Sequence, residues 1–277
     1  MTRPSRSSAL AAIPALAAAA AATFDSFRHH SDSDRFERLG AAALETLLNA
    51  IDANDPVTGA HVRRVARYAL VLADAMGVDE HTCHMVERVA LFHDIGKIHE
   101  ALFDLIHDAS KLDRRQWLEI RTHPIRGAKV LEPLKSFYPD LPSGVLAHHE
   151  WWNGSGYPRR LRKTAIPLSA RIVAIADTFD AITHSRRYRA GRSLSVGMDA
   201  IAEGRGTQFD PELVDLFLAP PVVAGIRAEM QGANQIERAR KTRRTRHGEN
   251  VDTPDVSFRW RDTSPTQTFQ DRVPRKR

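Results

Sequence analysis

Between about residues 36 and 220 apolar side chains recur at helical spacing almost without a break, and no run alternates with period two for long enough to make a convincing strand. That pattern restricts the chain to an all-α fold. The segment HVRRVARYALVLADAMG sets Val62, Val65, Ala69, Leu72, Ala73 and Met76 along one stripe and stops at Gly77, the residue type that most readily follows a helix end. Asp79 is placed to open a second helix through Val86, Val89, Ala90 and Phe92, and Asp113 to cap a third through Trp117 and Ile120. Pro124 suits the first turn of a fourth helix running through Val130. Ser169 opens a strongly apolar helix through Ile172, Val173, Ile175 and Phe179, and Asp210-Pro211 opens the last.

Both ends differ from this body. Residues 1–35 carry the run AAIPALAAAAAA followed by HHSDSD, and the run is too short and too weakly apolar to span a bilayer. Arg3 and Arg6 ahead of small residues permit a signal-peptide reading, but alanine alone makes a feeble hydrophobic segment, so a flexible leader or an over-extended start is expected. Residues 36–222 are expected to form the helical domain and 223–277 a basic, disordered tail. From residue 225 onward 13 Lys/Arg stand against 7 Asp/Glu, an excess equal to the +6 net charge of the whole chain. The body is therefore close to neutral. The tail could touch nucleic acid or an anionic surface, but it lacks interleaved aromatics and reads better as a solvated extension. Cys83 stands alone, which excludes an intramolecular disulfide and a thiolate cluster and suits a cytoplasmic location. His81 and His84 flank it in HTCH, on the polar face of a short helix, and are expected to be solvent-exposed.

The chemistry lies in histidines and aspartates spread along the helical body. His61 stands at the start of the first helix, His93 and Asp94 are adjacent in FHDIGK, His123 precedes Pro124, His148 and His149 open HHEWWNGSGYP, and Asp177 lies in AIADTFDA. An isolated His-Asp pair means little, and intervals of 25 to 32 residues are far too long for a local finger. They suit a centre to which each helix of a bundle contributes one or two inward ligands. Adjacent helical residues point about 100° apart, so His148 and His149 could not both face one core, but both could approach a pair of metal ions from one side. A carboxylate has two oxygens with which to bridge, and Asp94 is assigned that place. One ion would take His61, His93, Asp94 and Asp177; the other would take Asp94, His123, His148 and His149. Asp177 sits in an otherwise apolar helix, where an unpaired carboxylate would cost several kcal/mol; a metal partner explains it, a buried salt bridge being the alternative.

GAHVRRV, FHDIGKI, THPIRG, AHHEWWNGSGYP, IPLSARIVAIADTFDAIT, RRYR and GTQFDPELVDLF, in that order over about residues 41–218, strongly resemble the HD-GYP domain of bacterial cyclic di-GMP phosphodiesterases. The resemblance implies an HD-domain bundle around a buried dinuclear site, with iron or manganese the favoured ions and nickel and zinc also compatible with the donors. It implies hydrolysis of a 3′–5′ phosphodiester bond of cyclic di-GMP by metal-activated water, to linear pGpG, with GMP as a further product left open. Asp94 and Lys97 are the implied catalytic residues, Lys97 meeting phosphate. Arg186 and Arg189 match two phosphate-binding arginines of the family, and the loop through Tyr157 and Pro158 is the implied wall beside the substrate.

The departures from the family pattern also bear on function. Val57 stands where some members carry a glutamate for a third metal, so two ions are expected. The family's KIGIPD segment reads KIHEALFD here and its KPGKL reads DASKL, with Lys111 replacing one basic contact. The first 40 residues are too few for a sensor domain, so regulation is expected from partners, expression or the tails, with signalling proteins such as diguanylate cyclases among the partners. Two other functions compete with the leading one: a metal-dependent phosphohydrolase of another nucleotide, such as a different cyclic dinucleotide, and a protein that retains metal but binds cyclic di-GMP or a signalling partner with little turnover.

Overall fold

Capping residues set the helix boundaries in the computed structural model, which describes residues 33–98, 114–185 and 190–232. Helix α1 (Ser33–Asn54) buries Leu44, Leu47, Leu48 and Ile51, the spacing of a single helical stripe. Asp55 ends it and caps α2 (Pro56–Met76), its carboxylate accepting from the backbone N–H of Val57 and the hydroxyl of Thr58. Pro56 needs no hydrogen bond at that first helical position. The helix therefore begins five residues before His61, which stands in its second turn rather than at its start. Gly77 closes it in the left-handed conformation, at φ 66°.

Helix α3 (Glu80–Phe92) is capped by Asp79, which accepts from the Thr82 N–H. After it come α4 (Arg114–Ile120), α5 (His123–Leu131), α6 (Leu141–Ala147), α7 (Leu168–Thr183), α8 (Leu194–Glu203) and α9 (Pro211–Phe217), the last capped by Asp210 on the Glu212 N–H. The expected cap Asp113 lies outside the described residues. Helix α7 is the centre of the bundle: Ile172, Val173, Ile175, Ala176 and Phe179 are all buried, and α2, α3, α6 and α8 pack against it. Phe179 meets Tyr68 of α2 and Phe217 of α9 edge to face, at 5.4 and 5.5 Å between ring centres. Each of these fully buried aromatics and branched aliphatics contributes roughly 1.5–3 kcal/mol, so the fold rests on α2, α3 and α7. Among the described residues no strand forms beyond one isolated bridge, Arg205 to Phe209. The all-α expectation holds, and no described helix is long and apolar enough to cross a membrane.

The boundaries of the body differ from expectation at both ends. Helix α1 starts at Ser33, and residues 220–232 continue the body as a further helix, α10, whose Val222 and Ile226 are buried in the same core. Only two charges, Arg227 and Glu229, fall in this helix; the basic excess that marks the tail in the sequence begins beyond it, at Arg238. His81 is exposed, as expected, but His84 is turned inward, its side chain 12% exposed, beside the buried Cys83.

One close approach positions the site. The turn Ile95–Ile98 lies backbone to backbone against the first turn of α5, and a Cβ on Gly96 would stand 2.1 Å from the His123 carbonyl oxygen and 2.6 Å from the Gly127 nitrogen. Gly96→Ala is expected to cost on the order of 3 kcal/mol, by the overpacking such contacts impose, read as a lower midpoint in urea unfolding. A wild-type midpoint would show that the two backbones can separate freely.

Candidate metal centre

Seven side chains from five helices and their ends converge in the middle of this bundle. His61 comes from α2, His93 and Asp94 from the end of α3, His123 from the first residue of α5, His148 and His149 from the end of α6, and Asp177 from α7. Their donor atoms fall into two groups, His61 with His93 and Asp177, and His123 with His148 and His149, the atoms of each group lying within 4.8 Å of one another. Asp94 stands between them. Its Oδ2 is 3.7 Å from His61 Nε2 and 3.5 Å from His93 Nε2, while its Oδ1 is 3.4 Å from His123 Nε2. Asp177 Oδ1 lies 3.3 Å from His61 Nε2 and 3.8 Å from His93 Nε2. His148 and His149 are neighbours in sequence, yet both rings reach the second group, because α6 stops at Ala147 and frees the chain from the helical 100° rotation.

The local backbone fixes which nitrogen of each ring points inward. His93 Nδ1 hydrogen-bonds the Ala90 carbonyl at 2.8 Å, His123 Nδ1 the Ile120 carbonyl at 2.8 Å, and His148 Nδ1 the Val145 carbonyl at 2.6 Å. A carbonyl only accepts, so each Nδ1 carries the proton and each Nε2 turns a lone pair to the centre. His123 Nε2 and His148 Nε2 face each other at 3.1 Å. Burial keeps them unprotonated: it drives His123 down to about 3 and His148 well below the ordinary histidine value, while His149 falls to about 4. Two opposed lone pairs repel. Among the described residues, His93 Nε2 and Asp94 Oδ1 are likewise buried without a hydrogen-bond partner. Orphans of this kind cost about 1–3 kcal/mol each, and divalent cations among them would satisfy all of them at once. The donor set, imidazole with carboxylate, fits such ions.

Charge divides the site. Burial would raise Asp94, but Lys97, His93, His123 and His61 together hold it well below the usual carboxylate range. Lys97 Nζ lies 2.6 Å from Asp94 Oδ2 and is partly exposed, at the edge of the centre. Burial would depress His61, but hydrogen bonds with Asp177 and Asp180 outweigh it and lift the imidazole to about 9.

The second of those partners was not anticipated. Asp180, 2% exposed, accepts from His61 Nδ1 at 2.7 Å, from Arg64 Nε and Nη2 at 2.8 and 2.9 Å, and faces His184 Nδ1 at 2.9 Å. It does for His61 what a backbone carbonyl does for His93, His123 and His148. The available signal was its place three residues after Asp177, which puts both carboxylates on one face of α7.

The Gly-Tyr-Pro loop closes over His149. Tyr157 N–H donates to the His149 carbonyl at 3.1 Å, and the Tyr157 ring stacks on the His149 ring at 4.9 Å. Buried Glu150 accepts from the backbone N–H groups of Arg159 and Leu161, drawing the far side of the loop back. Gly156 is required by space: a Cβ there would lie 2.2 Å from the Trp151 nitrogen. The Tyr157–Pro158 peptide is cis. Lys111, Arg186 and Arg189 lie outside the described residues, and Val57 is exposed near the start of α2.

An all-α bundle that gathers five histidines and two aspartates in this way is a helical metal-centre domain. The chain belongs to the HD domain family, whose pattern it matches over residues 45–213, and the resemblance to the HD-GYP branch is borne out by its relatives. It is 38% identical over 174 residues to 3'3'-cGAMP-specific phosphodiesterase 2 of Vibrio cholerae, covering 62% of this chain and 33% of that one. It is 34% identical over 177 residues to the cyclic di-GMP phosphodiesterase response regulator RpfG of Xanthomonas campestris, covering 63% and 46%. To a cyclic di-GMP phosphodiesterase of Thermotoga maritima it is 34% identical over 217 residues, covering 77% and 56%. The chain thus spans between about a third and just over half of the length of these relatives.

Two outcomes follow from the centre. Asp180→Ala is expected to destabilise the protein by about 3–5 kcal/mol, and Asp180→Asn to weaken metal uptake at the His61 side while leaving the His123, His148 and His149 side loaded, as measured by metal titration. In chelated protein the unfolded chain protonates the depressed histidines near 6.5 and the folded chain cannot, so stability is full above 6.5 and falls as pH drops from 6.5 toward 4. His61, raised to about 9, adds stability that is complete below 6.5 and lost as pH rises through 9. Melting temperatures after chelation should therefore peak near neutral pH and drop at both pH 5 and pH 9.

Proposed function

We propose that this chain is a metal-dependent phosphodiesterase that hydrolyses cyclic di-GMP to linear pGpG, with a centre of two divalent ions, iron or manganese. The observation that carries the reading is the division of the Asp94 carboxylate between the two donor groups. One ion would be held by His61, His93, Asp94 and Asp177, the other by Asp94, His123, His148 and His149. Bound there, such ions would lower the pKa of water and offset charge on phosphoryl oxygens.

The protein's own groups do the rest. Lys97 places a cationic donor at the edge of the centre, within reach of Asp94, where a phosphoryl oxygen would bind. The backbone carbonyls behind His93, His123 and His148, and Asp180 behind His61, hold each ring in one tautomer and one orientation. Tyr157 walls the cleft beside His149. Arg186, Arg189 and Lys111 supply further phosphate contacts in this reading. Residues 36–222, with the helix to 232, form the catalytic domain; residues beyond it form the basic tail, and residues ahead of α1 the leader. Protein partners such as diguanylate cyclases and a cytoplasmic site of action belong to the same proposal.

A second reading has support of its own: one relative, at 38% identity, is named as 3'3'-cGAMP-specific. The two share the chemistry and differ in one base. Purified protein reconstituted anaerobically with ferrous iron or manganese is expected to convert cyclic di-GMP to pGpG, resolved by chromatography, faster than it converts 3'3'-cGAMP. Asp94→Ala should abolish turnover, and Lys97→Met should lower kcat by about 100-fold. Faster cleavage of 3'3'-cGAMP would favour the second reading, and retention of nucleotide without turnover would reassign the chain as a receptor.

A further inference from the structure

We propose that Arg121 binds a phosphate of the substrate other than the one being cleaved, a role that rests on the phosphodiesterase reading above. Arg121 lies in the short turn between α4 and α5, two residues before His123. That turn is held firmly: Thr122 donates from its N–H and its hydroxyl to the Glu119 carbonyl, at 3.0 and 2.6 Å, and His123 Nδ1 donates to the Ile120 carbonyl. The guanidinium carbon stands 4.2 Å from the centre of the Tyr157 ring, and Tyr157 is stacked on His149. A guanidinium, a phenol and an imidazole thus run in contact from the surface of the cleft to the metal centre.

Several other arginines of the body are paired, while Arg159, Arg160 and Arg162, on the loop after Tyr157, are exposed. Arg63 pairs with Asp52, Arg64 with Asp180, Arg126 with Glu119, Arg171 with Asp210 and Arg205 with Asp215. Lys97, beside Asp94, serves the phosphate being cleaved. Arg121 is partly exposed and has no carboxylate or carbonyl partner among the described residues. Its contact with the Tyr157 ring restrains the guanidinium without using its N–H donors. A cyclic dinucleotide carries two phosphodiester charges. When one sits among the ligands for scission, the other needs a cation a short distance outside them, and a planar donor fork next to His149 meets that need bidentately.

The rival role is a latch, in which Arg121 only pins the Gly-Tyr-Pro loop to the turn before α5. Arg121→Gln and Arg121→Lys, loaded with manganese, separate the two when assayed on cyclic di-GMP and on bis(p-nitrophenyl) phosphate, a diester with a single phosphate. A phosphate contact predicts that Arg121→Gln loses about 10- to 100-fold more kcat/KM on the dinucleotide than on the small ester. That excess should appear in KM, Arg121→Lys should recover part of it, and the melting temperature should hold. Equal losses on both substrates with a lower melting temperature would establish the latch and overturn the proposal, as would no loss at all. Wild-type protein that cleaves the small ester but no cyclic dinucleotide would remove the functional reading and this assignment with it.

Discussion

Everything in this molecule is arranged around a carboxylate in the wrong place. Asp94 is buried, ionised and set between two groups of donor side chains, and among the described residues one of its oxygens has no hydrogen bond. An apolar bundle does not tolerate that arrangement unless cations are supplied. Lys97 gives one, at the margin, and the protonated His61 gives another. The opposed Nε2 atoms of His123 and His148, 3.1 Å apart, have none. The bundle is built to hold them against this repulsion, and the apolar stripes of α2, α3 and α7 supply the stability that lets it do so.

Holding the rings uses one device three times and a substitute once. His93, His123 and His148 each sit at a helix end, where the carbonyl three residues back is available to Nδ1. Helix ends are where such groups are exposed. His61 lies inside α2, where the carbonyls are used, and so its Nδ1 partner has to come from another helix. Asp180 fills that place and, through Arg64 and His184, ties α2 to α7 at the level of the site. Two glycines make the rest possible. Gly96 lets the turn after Asp94 touch the start of α5, and Gly156 lets the loop fold back on His149.

The stretch HHEWWNGSGYP joins both halves of this design. Its histidines enter the centre, its glutamate gathers the loop from within by accepting two backbone N–H groups, and its tyrosine covers His149 and meets Arg121. Trp152 and Asn153 donate backbone hydrogen bonds to the carbonyls of Gln208 and Thr207, so the loop is also docked on the turn before α9. This loop is consequently a structural part of the site rather than an appendage to it.

The sequence by itself determined the all-α architecture, the caps at Asp79, Gly77 and Asp210, and the seven side chains that converge. Each of these depends on interactions within a turn or two of the chain, or on residue types with few other uses in an apolar helix. It did not reveal Asp180 behind His61, 119 positions away, the docking of residues 220–232 through Ile226, the inward turn of His84, or the contact between Arg121 and Tyr157. Those were decided by tertiary structure. Helical period says which face of a segment is apolar, but which distant donor meets which acceptor depends on how whole helices cross, and that is set by the packing of the complete core.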